Sequence, residues 1–395
     1  MKQVPPTDRI RSRAWLPALL LAVAPAAAGA QEADAPDQVF VLNERTGAVK
    51  AVAGDLVEDK LGGVVVETSE GRKSFDARLV VRVAFGAPPP AFSDGQTYLD
   101  RGQFEDAAAW FKLAAADASA EPLVQAQARL SGAEALMKLG ASDPAHFAEA
   151  RERAGRFLEE NPEHRLAPRA TALRARALWL DGDAAGAAAV YDTLYGKITA
   201  GEAAKGHDLL ACYDAGFRAA ETALAAGDTL RAREIYNTLR TNLTASLAAA
   251  RAEGDVERTR ALEAFEQMTE LGDGLVHLAS GNLDQARSFF TRLVDGSGDK
   301  SSALRFGAHL GLAHALQGLG EHRAAQLEYA RVAALDHTRR DNAAAALLGM
   351  AECAAELPES SGSTGAAQAR TWLQSILDQY GDTPSARRAR ELLLQ

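Results

Sequence analysis

Six positions between Asp94 and Asp117 set a spacing that the rest of the chain repeats: Gly95, Tyr98, Gly102, Ala107, Phe111 and Ala114. The same order returns without a gap as Ala175, Leu178, Gly182, Ala187, Tyr191 and Leu194, then as Ala220, Ala223, Gly227, Ala232, Tyr236 and Leu239. It returns again as Gly274, His277, Gly281, Ala286, Phe290 and Leu293, and as Ala313, Leu316, Gly320, Ala325, Tyr329 and Val332. Each position has a mechanical reason. The central Gly ends one helix, where a left-handed residue is wanted. The small residues on either side let two antiparallel helices approach closely, and the large ones fill the space beside that contact. A chain with this phasing is constrained to a row of helical hairpins.

The units between and beyond are less regular. Ala133, Leu136 and Gly140 open a second unit whose turn is lengthened by five residues, including Asp143-Pro144, before Ala150 and Phe157 resume the pattern. A seventh unit from Asn342 to Tyr380 has its turn stretched by Pro358 to Gly365 and carries Ala369, Leu373 and Ile376 in its second helix. Residues 384–394, PSARRARELLL, make a final amphipathic helix suited to covering the open end of a repeat stack. The longest step, Ala220 to Gly274, predicts elongated helices over Thr241–Ala252 and Asp255–Leu271, broken at Gly254.

This order of residues resembles the tetratricopeptide repeat, whose period is 34 residues; the steps here are longer. The resemblance covers about three quarters of the chain. Together with the Pro-led helix starts at Pro162 and Pro384 it is similar to bacterial periplasmic and envelope repeat proteins. The implied fold is mainly α: a solenoid of about seven helical hairpins plus a C-terminal cap helix over 87–395, preceded by a small all-β domain.

That β domain is expected over 37–86. Val39–Leu42, Val49–Val52 continued through Leu56-Val57 with a bend at Gly54, Val64–Val66, Lys73–Phe75 and Leu79–Phe85 read as five short strands divided by turn residues. Their order resembles small SH3-like or Sm-like barrels. GAPPP, residues 86–90, is a stiff boundary. The first helical unit starts weakly, with Ala91 and Asp94 at positions where the family has large residues, so the β domain is expected to pack there as an N-terminal cap.

Residues 1–30 read as a secretory signal peptide: Lys2, Arg9, Arg11 and Arg13, then an apolar run to Ala27, then Ala28-Gly29-Ala30 as a cleavage site. Residues 31–36 are a flexible leader, and no Cys follows the cleavage site to take a lipid anchor. The expected address is therefore the periplasm, with no integral membrane segment after signal removal. The formal net charge of −10 argues against nucleic acid as a partner. Cys212 and Cys353 lie in separate helical units and are expected to be unpaired, buried thiols.

Chemistry-bearing patterns are thin. Asp295–Asp299 begins like a calcium loop, but Lys300 and Phe306 stand where Gly and Glu are needed. His309, His314 and His322 do not share a helix face at ligand spacing. No catalytic residue, metal site or cofactor is assigned. The resemblance implies instead that the first helix of each unit lines a groove that binds a protein or peptide segment. Carried over by spacing, the groove candidates are Glu134 and Lys138, then Arg169, Arg176 and Trp179, then Phe217 and Glu221, and His314. Arg169, Arg176 and Trp179 form one helix stripe of residue types common at binding hot spots. The expected function is an exported, non-enzymatic interaction scaffold serving envelope assembly or maintenance; the alternative is an accessory protein that binds cell wall or carbohydrate. The oligomeric state is left open.

Overall fold

The computed structural model describes residues 35–43, 46–298, 301–336, 339–357 and 364–394. The expected signal peptide, most of the expected 31–36 leader, residues 358–363 of the stretched turn and Asp299 of the calcium-like loop lie outside the described residues.

Valines and glycines shape the N-terminal part. β1 (Asp37–Leu42), β2 (Val49–Lys60), β3 (Gly63–Thr68), β4 (Gly71–Phe75) and β5 (Val80–Ala84) form a five-stranded antiparallel sheet in the order β4-β3-β2-β1-β5. β2 is long enough to serve two partners. Its first half pairs with β1 and its second with β3, and the changeover falls at Gly54 and Asp55. A Cβ on Gly54 would stand 2.2 Å from the Glu67 carbonyl oxygen, so only glycine lets β3 approach there. The sheet ends, β4 and β5, are not paired with each other among the described residues.

One face of this sheet carries Val39, Val64, Val66 and Val83, all buried. It continues into the first hairpin, α1 (Pro90–Asp100) and α2 (Phe104–Ala116). Phe85 meets Phe92 edge-on at 5.6 Å, and Phe92 meets Phe111 at 5.7 Å. Sheet and hairpin thus share one apolar core, and the sheet covers the end of the helical stack.

The remaining hairpins are α3 (Pro122–Leu139) with α4 (Ala145–Glu160), α5 (Ala167–Asp181) with α6 (Ala184–Tyr195), and α7 (Leu209–Ala225) with α8 (Thr229–Glu253). Then follow α9 (Val256–Met268), α10 (Gly272–Ala279) with α11 (Leu283–Asp295), α12 (Ser302–Gly318) with α13 (His322–Leu335), α14 (Arg340–Glu356) with α15 (Thr364–Tyr380), and α16 (Pro384–Leu393). The phased glycines do what the sequence asks of them: Gly102, Gly182, Gly227, Gly281 and Gly320 all have φ between 73° and 102°. Gly140 is right-handed, because the lengthened turn through Asp143-Pro144 reverses the chain further on. Aspartates cap several helix starts; Asp183, Asp208, Asp228 and Asp255 each accept the backbone N–H three residues on.

Successive units lock by an aromatic-on-glycine contact. Tyr236 lies against Gly272, Phe290 against Gly311 and Tyr329 against Gly349, leaving no room for a Cβ. Phe111, Phe290 and Tyr329 are fully buried, each worth about 2 kcal/mol of hydrophobic stabilisation. The longest step in the sequence resolves into α8, a single 25-residue helix that runs through Thr241, and the extra helix α9 folded back on it after left-handed Gly254. A short hairpin between α6 and α7, β6 (Ile198–Thr199) with β7 (Glu202–Ala203), has no signal in the helical periodicity.

First helices of successive units pack side by side, α1 on α3, α3 on α5, α10 on α12 and α12 on α14, while the second helices stand further apart. The first helices therefore line the inside of the curve. The last elements return to that inside: α16 packs on α5, and Arg390 Nη2 donates to the Ala141 carbonyl 249 residues earlier.

Candidate functional site

The stripe expected on the inner face is built from helix register. On α5, Arg176 and Trp179 are one turn apart; on α7, Asp214, Arg218 and Glu221 follow the same rule. The Arg176 guanidinium lies 5.3 Å from the Trp179 ring centroid and that of Arg218 lies 5.9 Å from it, a cation–π arrangement that orients both arginines. Both converge on a carboxylate from the far end of the chain. Arg176 donates through Nη1 to Asp341 Oδ2 (3.0 Å) and through Nη2 to Oδ1 (2.8 Å), while Arg218 Nη1 donates to Oδ2 at 2.8 Å. Arg176 Nη2 also reaches the Asp382 carbonyl at 2.8 Å. Glu221 pairs with Arg218 at 3.2 Å and with Arg339 at 3.4 Å.

Little water reaches this cluster: the side chains of Asp341, Arg218 and Arg176 are 18%, 19% and 23% exposed. Burial works to raise the Asp341 pKa, but the two guanidiniums outweigh it and hold the carboxyl at about 2. Burial likewise works against the Arg218 charge, and Glu221, Asp214 and Asp341 overcome it and push its pKa up. Asp341 sits in the first turn of α14, where the helix dipole also favours a negative charge. Tyr191, beside the cluster, is pushed up to about 12 by burial and stays a neutral phenol.

The other expected residues divide. Glu134 and Arg169 form a 2.7 Å ion pair linking α3 to α5; Arg169 is open to solvent, and burial pushes the Glu134 carboxyl up. Lys138 is exposed and lines a cavity of about 290 Å³ with Arg340, Asp378 and Asp382. Glu221 belongs to the cluster. Phe217 does not face the groove: it is 2% exposed and stacks on Phe265 at 5.6 Å. Four residues before Glu221 lies on its core side and three residues before on its open side, so Arg218 takes the place expected of Phe217. His314 is exposed and stands apart, edge-on to Tyr329 at 5.4 Å, in a second cavity of about 290 Å³ with Glu352 and Arg388. Arg218 was missed in the sequence; the i, i+4, i+7 spacing of Asp214, Arg218 and Glu221 is the signal that marks it. Asp341 and Asp382 carried no local signal, because only closure of the chain on itself brings them here.

Among the described residues no group of three or more His, Cys, Asp or Glu side chains is placed to hold a metal ion, and no described helix is long and apolar enough to cross a membrane. Trp110, Trp179 and Trp372 are each half-buried on different hairpins, α2, α5 and α15.

No protein-family model matches the chain, and no curated protein matches it. Among solved structures it is similar to a tetratricopeptide repeat protein from Parabacteroides merdae, with 12% identity, 73% of this chain and 91% of that one covered, and a TM-score of 0.46. It is also similar to the apo form of RapI, with 9% identity, 77% and 85% covered, and a TM-score of 0.38. The chain is a helical-hairpin solenoid preceded by a five-stranded sheet, as its own hairpins and their phased turns show.

Proposed function

We propose that this chain is an exported, non-enzymatic scaffold that binds a segment of a protein partner along the inner face of its solenoid and serves the cell envelope. The observation that carries the reading is the row of charged side chains on α3, α5 and α7. Glu134, Lys138 and Arg169 project from first helices whose other faces are locked into the core, beside Arg176, Arg218 and Glu221, which Asp341 and Arg339 engage. A rigid frame that presents donors and acceptors without ordering them afresh is what segment recognition needs. The basic, apolar and small-residue pattern of residues 1–30 supports export. Tyr191, beside the cluster, is pushed by burial from the ordinary 10 up to about 12, which suits packing rather than proton transfer.

Crosslinking mass spectrometry in the native envelope tests this. Crosslinks from Lys138 to a second protein are expected, and Arg169→Glu, which reverses an exposed charge on this face, should weaken them at least tenfold. Crosslinks confined to the convex side, or indifferent to Arg169→Glu, would overturn the reading.

A further inference from the structure

In a solenoid each unit ordinarily contacts its neighbours alone. Asp341, in the seventh hairpin, breaks that rule by reaching the third and fourth. The arginines that receive it are already organised without it. Trp179 stacks against both, and Asp214 and Glu221, on the same helix as Arg218, balance part of its charge at 3.9 Å and 3.2 Å. What they present is a three-donor seat for one carboxylate.

The closure around that seat is polar. Beyond Asp341, the returning segment is stitched by Arg176 to the Asp382 carbonyl and by Arg390 to the Ala141 carbonyl. Gly381 also lies close against the Ala141 carbonyl. Its apolar residues, including Ala351, Leu373, Ile376 and Ala386, form a cluster of their own, distinct from the cores of the hairpins it touches. Opening the closure therefore exposes few apolar side chains, while the loss of Asp341 strands two part-buried cations.

We propose that Asp341 is an internal ligand that locks the solenoid shut, and that an acidic side chain from a partner segment competes for the Arg176–Trp179–Arg218 seat and opens it. The competition rests on the inner face being a partner-binding surface; the lock does not.

Small-angle X-ray scattering and thermal melts on the full mature chain test the two halves separately. Asp341→Ala should keep the wild-type helical circular dichroism and increase the radius of gyration. Acetate should raise its melting temperature by about 2 °C or more over chloride at equal ionic strength, and should not raise that of the wild type or of Arg176→Gln/Asp341→Ala. If Asp341→Ala does not fold, Asp341→Asn, which keeps the shape and loses the charge, is read in the same way. An unchanged radius, or an acetate effect shared by all variants, overturns the lock. For the competition, an alternating Asp-Gly peptide should expand the wild type and its Asn-Gly counterpart should not. A lock that behaves as expected but ignores both peptides overturns the competition and leaves the closure standing. Absence of any envelope crosslink at Lys138 bears on the scaffold reading alone.

Discussion

Arg176 on α5 holds both carboxylate oxygens of Asp341 on α14, 165 residues later in the chain, at 2.8 and 3.0 Å. The pair gives the protein a defined acid sensitivity. The folded-state pKa of Asp341, about 2, lies below the ordinary 3.8. Its contribution is therefore complete above about pH 4 and disappears as pH falls towards 2. A shift of this size corresponds to about 2 kcal/mol. Denaturant titrations between pH 5 and 2 should show Asp341→Asn losing that part of the pH dependence and lying below wild type at neutral pH. Parallel curves for the two proteins would rule out the assignment.

Aromatic-on-glycine packing makes an opposite pair of predictions for one substitution. A Cβ on Gly311 would lie 2.4 Å from the Phe290 ring, whereas one on Gly155, also inside a helix, meets nothing closer than 3.8 Å. Gly311→Ala should destabilise by about 2 kcal/mol through overpacking. Gly155→Ala should stabilise by up to about 1 kcal/mol through helix propensity. Chemical denaturation midpoints decide it, and equal signs at the two sites would refute the packing account.

The phased motif made the helices legible because local chemistry fixes them: a left-handed Gly at each turn, small residues at each crossing, and an aromatic behind. The same reasoning placed Arg176, Trp179 and Glu221 on the inner face. It failed at Phe217 because two residues 100° apart on a helix fall on either side of the boundary between groove and core, and spacing alone does not say where that boundary runs. It could not reach Asp341 or Asp382. Nothing local marks an aspartate at the start of α14 as the partner of α5 and α7; that follows from the curvature accumulated over the intervening hairpins. The β6–β7 hairpin was hidden for a different reason. It is held by left-handed Ala200 and Gly201 and by packing against α8, and strands of two residues leave no periodicity to read.

The two thiols report on opening at different places. Cys212 and Cys353 are unpaired and fully buried, and burial pushes them up to about 12 and about 11. Neither should react with an alkylating reagent at pH 8 while folded. Quantitative labelling under increasing denaturant should modify Cys353, in the last hairpin, at lower denaturant than Cys212, which sits in the central core. Rapid labelling of Cys212 in the native protein would contradict its placement.

The sheet is fastened to the solenoid a second time, far from the first hairpin. Asp59, at the end of β2, accepts from Arg165 Nε at 2.7 Å and Nη2 at 3.1 Å, and Arg165 Nη1 reaches the Val80 carbonyl at 3.3 Å. Backbone bonds run alongside, from Leu61 to the Glu163 carbonyl at 2.7 Å and from Arg165 to that of Asp59 at 3.3 Å. The Asp59 and Arg165 side chains are 2% and 8% exposed, so removing one partner leaves a buried charge without its counterion. Arg165→Ala should destabilise the attachment by about 3 kcal/mol, whereas replacing both partners with apolar residues of similar size, Asp59→Leu with Arg165→Met, should lie much nearer wild type. His164 adds a pH dependence. Its Nδ1 accepts the Leu166 N–H at 3.0 Å, and burial lowers its pKa below the ordinary 6.5. The unfolded chain therefore takes up protons more readily, and the His164 contribution is complete above about pH 6.5 and declines as pH falls below it. Hydrogen exchange resolves this site by site. Amides of β2 and β3 should exchange faster in Arg165→Ala at pH 7 and faster in the wild type at pH 5.5 than at pH 7 after correction for intrinsic rates, with the α10–α13 helices unchanged. Exchange that accelerates evenly over the whole chain would mean that Asp59 and Arg165 support global stability rather than the attachment of the sheet.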